Sequence, residues 1–417
     1  MITLIEALNY RCLRYLRQPV GPFEVLVGPN ATGKTTFLDV IAFLSDIVCS
    51  GVESAIVGRT SNPEDLIWLR KGDTFELAVE VAIPEKLRPQ LANPAFDRLR
   101  YELAIGMDVE GQGVGLNVER VLLKKNVVTK EPERLSFPQF RELPLSILSR
   151  KGKSKKEQSI VVSKEKGGND NYYAETAKGY NPSYRTNPRR SALANLPADE
   201  LSFPVTTWFK MFLSEGIQQF ILNSLLIRKA SPPGQIKGFK PDGSNLPWVV
   251  ARLADAAPDR FHDWIQHLKT ALPDIENIRT VERPDDKHRY MVLRYGSGLE
   301  VPSWMASDGT LRLLALTLPA YLSDFQGCYV IEEPENGIHP RAVETVLQSL
   351  SSVYDAQVLL ATHSPVILSN VEPKDVLCFT KTEDGATDIV TGDKHPRLTD
   401  WRGSPNLSVL FAGGVLG

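Results

Sequence analysis

No apolar run in this 417-residue chain reaches the roughly 18 residues that a membrane span requires, so no transmembrane helix and no membrane partner are expected. Cysteine is scarce. Cys12, Cys49, Cys328 and Cys378 stand far apart with no CxxC pair, which argues against a disulfide framework or structural zinc and fits a reduced, cytoplasmic protein. Neither sign of charge is in excess. A net charge of -2 gives no global pull toward nucleic acid, so any such contact needs a local patch. Sustained heptads are missing as well, which removes long coiled-coil arms. The opening MITLIEALNYRC has an acid at Glu6 and no small-residue cleavage site, so it does not read as a signal peptide. What remains is ordinary globular composition, 42% apolar and 24% charged, with length for two to three lobes and a sizeable core.

The sharpest local signal is GPNATGKTT, Gly28 to Thr36. FEVLVG before it is short, apolar and bounded by turn residues, so it reads as a buried strand. After it, Phe37, Val40, Ile41, Leu44, Ile47 and Val48 recur at helical spacing. A GxxxxGK[ST] string between strand and helix is the context of a phosphate-binding loop. Gly28 and Gly33 let the backbone bend so that successive N–H groups face phosphate oxygens, and the helix N-terminus adds its positive dipole end. Lys34 would reach the outer phosphates and Thr35 would bind magnesium. Asn30 and Thr36 complete the candidate nucleotide-binding set, and ATP with magnesium is the expected ligand pair.

Three strings follow about 300 residues later. CYVIEE, Cys328 to Glu333, is an apolar strand ending in two acids, and carboxylates at strand C-termini lie where open α/β sheets bind ligands. A solvated acidic turn ahead of a helix starting near Pro340 would read the same way. AQVLLATHS, Ala356 to Ser364, is a third strand with His363 at its end, 30 positions after Glu333. The helix-length segment Ala342 to Tyr354 makes this a β-α-β crossover, which brings both strand ends to one edge. SDGTL, Ser307 to Leu311, precedes the apolar LRLLALTLPAYL, where Ser307 or Asp308 could act simply as a helix N-cap.

Taken in order, these strings resemble the SMC/RecF/OLD branch of ABC-type ATPases over roughly residues 1–80 and 290–385. EEPENGIHP with ATHSP resembles particularly the OLD-like ATPases found in bacterial anti-phage defence modules. The resemblance implies an α/β fold: an ABC-type ATPase head with a P-loop mixed sheet flanked by helices, plus an inserted α-helical lobe. It also implies roles. Glu332 would help hold magnesium through water, Glu333 would orient or deprotonate the attacking water, and His363 would contact the γ-phosphate. Ser307 and Gly309 would clasp the γ-phosphate of an opposite subunit, and ENGIHP would be the D-loop at the seam. Asn9-Tyr10-Arg11 matches the N-F-[RK]-S pattern of the family, which would place Arg11 near the phosphates; an exposed strand arginine is the plain alternative. Lys34, Glu333 and His363 are thus the catalytic candidates, in a homodimer or higher homo-oligomer. Three departures stand out: Glu332 for aspartate, Cys12 for serine, and SDGTL for LSGGQ, with Asp308 and Thr310 replacing a glycine and a glutamine.

Thr36 and Ser307 are 271 positions apart, too far for a compact transporter domain and too near for SMC arms. The expected organisation is an N-terminal ATPase lobe (1–130) whose TFELAVEVAIP, YELAIGMDVEG and VGLNVERVLLKK segments form antiparallel strands. A basic, partly ordered insert (131–200), a helical lobe (201–290), a C-terminal ATPase lobe (291–400) and a tail (401–417) follow. Residues 150–190 carry 11 Lys/Arg against 4 Asp/Glu, with Tyr172, Tyr173, Tyr180 and Tyr184. Nucleic-acid contact, a solvated loop and a partner-docking arm all suit such a stretch. Thr206 to Ile227 reads as a core or interface helix interrupted at Gly216. DGSNLPWVVARLADAAPDRFHDWIQHLKTAL reads as two helices, and IENIRTVERPDDKHRYMVLRYG as a hairpin. His262 and His267, five apart, read as surface residues, and Gln235 is a candidate Q-loop residue. No acidic cluster resembling a Toprim nuclease occurs in the 54 residues after His363, so a destructive step is expected to need a separate nuclease or toxin. The leading expectation is an ATP-hydrolysing sensor or scaffold of an anti-phage system that closes as a nucleotide-sandwich dimer. A RecF-type DNA repair or chromosome-maintenance ATPase, binding DNA through Lys151, Lys153, Lys155 and Lys156, is the alternative, and a transporter subunit a third.

Overall fold

The computed structural model describes residues 1–107, 113–126, 134–149, 157–236, 238–323, 325–399 and 407–414. Strands β1 (Ile2–Tyr10), β2 (Leu13–Pro19) and β3 (Phe23–Val27) lead into helix α1 (Lys34–Ser50) and the short α2 (Val52–Val57). Next come β4 (Thr74–Ala82), β5 (Arg98–Met107), β6 (Val114–Lys124), β7 (Gln158–Glu165), β8 (Asp170–Tyr172) and β9 (Ser183–Tyr184). Helix α3 (Pro204–Glu215) precedes β10 (Ile217–Phe220), α4 (Ser224–Ile227), α5 (Leu246–Ala256) and α6 (Pro258–Leu268). The chain continues through β11 (Ile275–Glu282), β12 (Arg289–Tyr295), β13 (Glu300–Pro302), α7 (Asp308–Thr317), β14 (Cys328–Glu332) and α8 (Pro340–Ser351). It then forms β15 (Gln357–Ala361), α9 (Pro365–Leu368), β16 (Val376–Lys381) and β17 (Thr387–Thr391).

One six-stranded sheet has the order β10-β14-β15-β3-β16-β17, parallel except for the antiparallel β17. Its parallel strands need crossovers, and α8 supplies the one between β14 and β15. Register aligns Glu332 with Ala361 and Ala361 with Leu26, so the loop after β3, the acids after β14 and His363 after β15 leave the sheet at one edge. The sheet is buried on both faces, as parallel sheets are. Leu26, Val330, Leu359 and Ala361 pack toward α1, α3 and the second sheet. Val25, Val27, Tyr329, Ile331, Val358 and Leu360 pack toward α5 to α9 and the β11-β12-β13 sheet. Helix α1 therefore lies between two sheets, burying Phe37, Val40, Ile41, Phe43, Leu44 and Ile47, which explains its apolar character beyond a single stripe.

The second sheet is antiparallel, eight-stranded, in the order β2-β1-β4-β5-β6-β7-β8-β9. Its inner face joins the α1 core through Ile5, Leu77, Tyr101, Leu103 and Val121. On the other face Arg100 is buried among Glu6, Glu80 and Glu102, beneath the Ser146–Ser149 segment, whose Ile147 carbonyl accepts from Arg100 at 2.8 Å. Isolated in a low-dielectric site such charges would be costly; here each carboxylate has a cation within 3.2 Å.

Three sequence expectations meet a different arrangement. The basic stretch contributes ladder strands, β7 to β9, because Val161, Val162 and Tyr172 bury against the core; Lys151, Lys153, Lys155 and Lys156 lie outside the described residues. The apolar run Thr206–Ile227 is not one interrupted helix. Gly216 caps α3, and Ile217–Phe220 extend as β10 because they pair with Cys328–Ile331 of β14. His267 is not a plain surface residue, since a ring nitrogen bonds the Thr345 carbonyl of α8 at 3.0 Å.

Candidate nucleotide site

The phosphate loop is built on its backbone. Gly28 has φ +147° and Gly33 φ +100°, where a side chain would be strained, and Ala31 at the tip also has positive φ. Lys34 opens α1 but folds back, donating from Nζ to the Gly28 and Pro29 carbonyls at 2.7 and 3.0 Å. The Thr32 hydroxyl also donates to Pro29 O, at 2.9 Å. No side chain caps α1, so its first N–H groups are left to an anion at that end. Asn30 and Thr35 are exposed on the loop, Thr36 is half-buried, and Lys34 is buried. Burial lowers the Lys34 ammonium below the usual lysine range, while Glu333 and Glu332 act in the opposite direction.

Across the sheet edge, the Thr35 hydroxyl donates to Glu332 Oε2 at 2.5 Å. Glu333 sits just beyond β14 in the left-handed region, φ +48°, held by its N–H to Ala361 O at 2.8 Å and by Asn336, whose amide donates to Glu333 Oε2. Glu335 Oε1 accepts from the Thr362 hydroxyl at 2.7 Å and from the His363 N–H at 2.9 Å, so the carboxylate fixes the turn that carries the histidine. Burial lowers the His363 pKa and nearby Lys34 lowers it further; Glu333 and Glu335 oppose them. His363 is therefore predominantly neutral at pH 7. Lys34, Thr35, Glu332, Glu333 and His363 converge on one edge.

Ser307 and Gly309 occupy a separate turn. Ser307 is the N-cap of α7, accepting from Thr310 N at 3.1 Å, so the simple capping chemistry is present. Gly309 packs on the ENGIHP loop: a Cβ there would fall 2.8 Å from Gly337 O. Arg228 binds Asp308 Oδ1 at 2.6 Å, tying α4 to this turn. Ser307 is exposed, and among the described residues no hydrogen bond joins this turn to the phosphate loop of the same chain.

Arg11, partly exposed and also at positive φ between β1 and β2, contacts Asp39 at 3.4 Å, and Asp39 lies on α1 one turn beyond Thr35. Asp39 belongs more closely to Tyr10, at 2.5 Å, and Arg59, at 2.7 Å. Gln235 lies in its own turn, donating to Pro232 O, and among the described residues no hydrogen bond links it to the loop. Reading motifs alone missed Asp39 and the β16-β17 hairpin; neither carries a local pattern. Glu335 could have been found, because it stands two residues past the acidic pair.

Among the described residues no cluster of three His, Cys, Asp or Glu side chains is arranged to hold a metal. Magnesium needs no such cage: it keeps several waters and takes one or two protein oxygens plus substrate phosphates. The adjacent Thr35 hydroxyl and Glu332 carboxylate fit that donor set. Among the described residues no helix is long and apolar enough to cross a membrane.

Residues 23–92 and 246–369 match the family described as AAA domain, putative AbiEii toxin, Type IV TA system. An OLD nuclease from Thermus scotoductus is 27% identical over 127 residues, 29% of this chain and only 22% of that protein. Two solved structures share the architecture. The SMC head bound to the C-winged helix domain of ScpA superposes with a TM-score of 0.54 at 14% identity, over 93% of this chain and 97% of the other. The Smc head domain with an extended coiled coil, bound to the C-terminal domain of ScpA derived from Pyrococcus furiosus, gives 0.51 at 13% identity, over 93% and 95%.

Proposed function

The chain has the head fold of the SMC/RecF/OLD branch of ABC-type ATPases, and on that premise we propose that it binds and hydrolyses ATP with magnesium at the edge where β3, β14 and β15 end. The observation that carries this reading is the convergence of Lys34, the Thr35–Glu332 pair, Glu333 and His363 on that edge. The loop amides and Lys34 bind the phosphates, with Asn30 and Thr36 at the loop's flanks. Bound magnesium would neutralise charge on the outer phosphates, held by Thr35 directly and Glu332 through water. Glu333 orients the attacking water and accepts its proton, and a neutral His363 donates a hydrogen bond to the γ-phosphate. Positioning and electrostatics do most of the catalysis.

Closure by a second copy completes the reading. The exposed Ser307–Gly309 turn, remote in bonding from its own phosphate loop, suits contact with the nucleotide of a partner, and γ-phosphate contacts would make the dimer depend on ATP. The OLD-like pattern of EEPENGIHP with ATHSP supports a sensor or scaffold role in anti-phage defence, with a separate nuclease or toxin as the acting partner. Equilibrium ATP binding and phosphate release by wild type, K34A and E333Q test the site. K34A should lose binding, whereas E333Q should keep ATP, turn over at least about a hundredfold more slowly and accumulate the dimer. Undiminished ATP affinity in K34A, or full turnover in E333Q, would remove those residues from the roles given.

A further inference from the structure

The β16-β17 hairpin lies beyond the residues that match the family, yet it forms a wall of the phosphate loop. Thr387, the first residue of β17 and 4% exposed, donates its hydroxyl to Thr32 O at 2.8 Å and its N–H to Cys12 O at 2.9 Å. A Cβ on Gly33 would lie 2.3 Å from Thr387 Oγ1 and 2.9 Å from Cys12 Sγ, and one on Gly28 would lie 2.3 Å from Phe379 O of β16. Both loop glycines are therefore required by contact with this hairpin as well as by their φ angles.

We infer that Thr387 is a positioning residue for the phosphate loop, setting the orientation of the Thr32–Gly33 peptide and through it the affinity for ATP. In a planar trans peptide the C=O and N–H point in opposite directions. Anchoring Thr32 O on the hairpin therefore turns the Gly33 N–H away from it, as a phosphate-facing amide requires. The hairpin is itself fixed from its far side. Asp388, 3% exposed, accepts from Arg134 at 3.0 and 3.1 Å and from the Gln139 N–H at 2.9 Å. The segment between β6 and β7 thus braces the residue next to Thr387, and the constraint on the loop comes from a part of the chain with no nucleotide motif.

This rests on the ATP-binding reading above, and the test separates the two. Full-length wild type, T387S, T387V and T387A would be titrated with a fluorescent mant-ATP and magnesium, and their nucleotide-free melting temperatures compared. T387V and T387A remove the donor to Thr32 O, and each should weaken binding about tenfold, the equivalent of about 1.4 kcal/mol. T387S keeps the hydroxyl and should bind within about twofold of wild type. At saturating ATP the turnover of T387A should change less than its KM. Wild-type affinity in T387A and T387V, or equal losses in T387S and T387A, would overturn the inference. So would affinity losses that merely follow a fall in melting temperature. A wild type that binds no mant-ATP overturns the ATP reading itself.

Discussion

Replacing Glu24 by glutamine should stabilise the protein above neutral pH and do little near pH 4.5. Glu24 lies on β3, the strand that feeds the phosphate loop, and is 4% exposed. Its Oε1 accepts the Gly21 N–H at 2.7 Å, whereas the buried Oε2 has no partner among the described residues. Burial, and secondarily the charges of Asp375 and Asp393, outweigh the Gly21 bond and push the pKa from 4.5 up to about 7. Below pH 4.5 folded and unfolded chains both carry the proton, and the group costs nothing. Between 4.5 and about 7 the unfolded chain releases it first, so stability falls as pH rises. Above about 7 the cost is complete, about 3 kcal/mol at roughly 1.36 kcal/mol per pH unit. Glutamine keeps an acceptor for Gly21 and carries no charge. Urea unfolding of both proteins without nucleotide should give a gain under about 1 kcal/mol at pH 5 and about 3 kcal/mol at pH 8. Equal differences at the two pH values, or a less stable E24Q at pH 8, would refute the reasoning.

R100A should lose about 3–5 kcal/mol in unfolding experiments near pH 7, because Glu6, Glu80 and Glu102 would remain buried without their central cation; a neutral outcome would mean that water reaches the cluster. For Glu335 the informative pair is alanine and glutamine. E335A should slow turnover about ten- to a hundredfold with ATP affinity retained, by releasing the Thr362–His363 turn, whereas E335Q should stay near wild type. Equal rates for both would dissociate this carboxylate from the histidine. S307R should cost about 1 kcal/mol through the lost α7 cap, leave ATP binding to the single chain unchanged, and abolish ATP-dependent dimerisation measured by light scattering. A dimer that persists would separate the Ser307 turn from closure.

The strand, turn and helix that carry GPNATGKTT were legible because their signals are local: glycines, a lysine and a hydroxyl at fixed spacing between two apolar segments. The β14-α8-β15 crossover was legible too, since right-handed crossovers bring both strand ends to one edge. What escaped depends on contacts across long sequence separations. Ile217–Phe220 is a strand because β14 lies beside it, which no four-residue window reveals. The charges of Glu80, Arg100, Glu102 and Arg120 alternate as a solvated sheet face would, but the Ser146–Ser149 segment covers them. Thr387 carries no motif; its role comes from where the hairpin ends.

The strand order also governs how the site comes into being. β3, finished at Val27, is seated between β15 and β16, the second of which begins at Val376. During synthesis at about 5–20 residues per second, the phosphate loop strand waits on the order of 20 to 70 seconds before either neighbour leaves the ribosome. Through that interval β1, β2, β4 and β5 can pair with one another, because each follows the last within a hundred residues or so, but the nucleotide edge has no second side. A nascent or prematurely terminated chain would thus have its loop sequence without the proposed nucleotide site. On the proposed ATP reading, competence for the nucleotide would report that β15 and β16 have been made and have paired with β3.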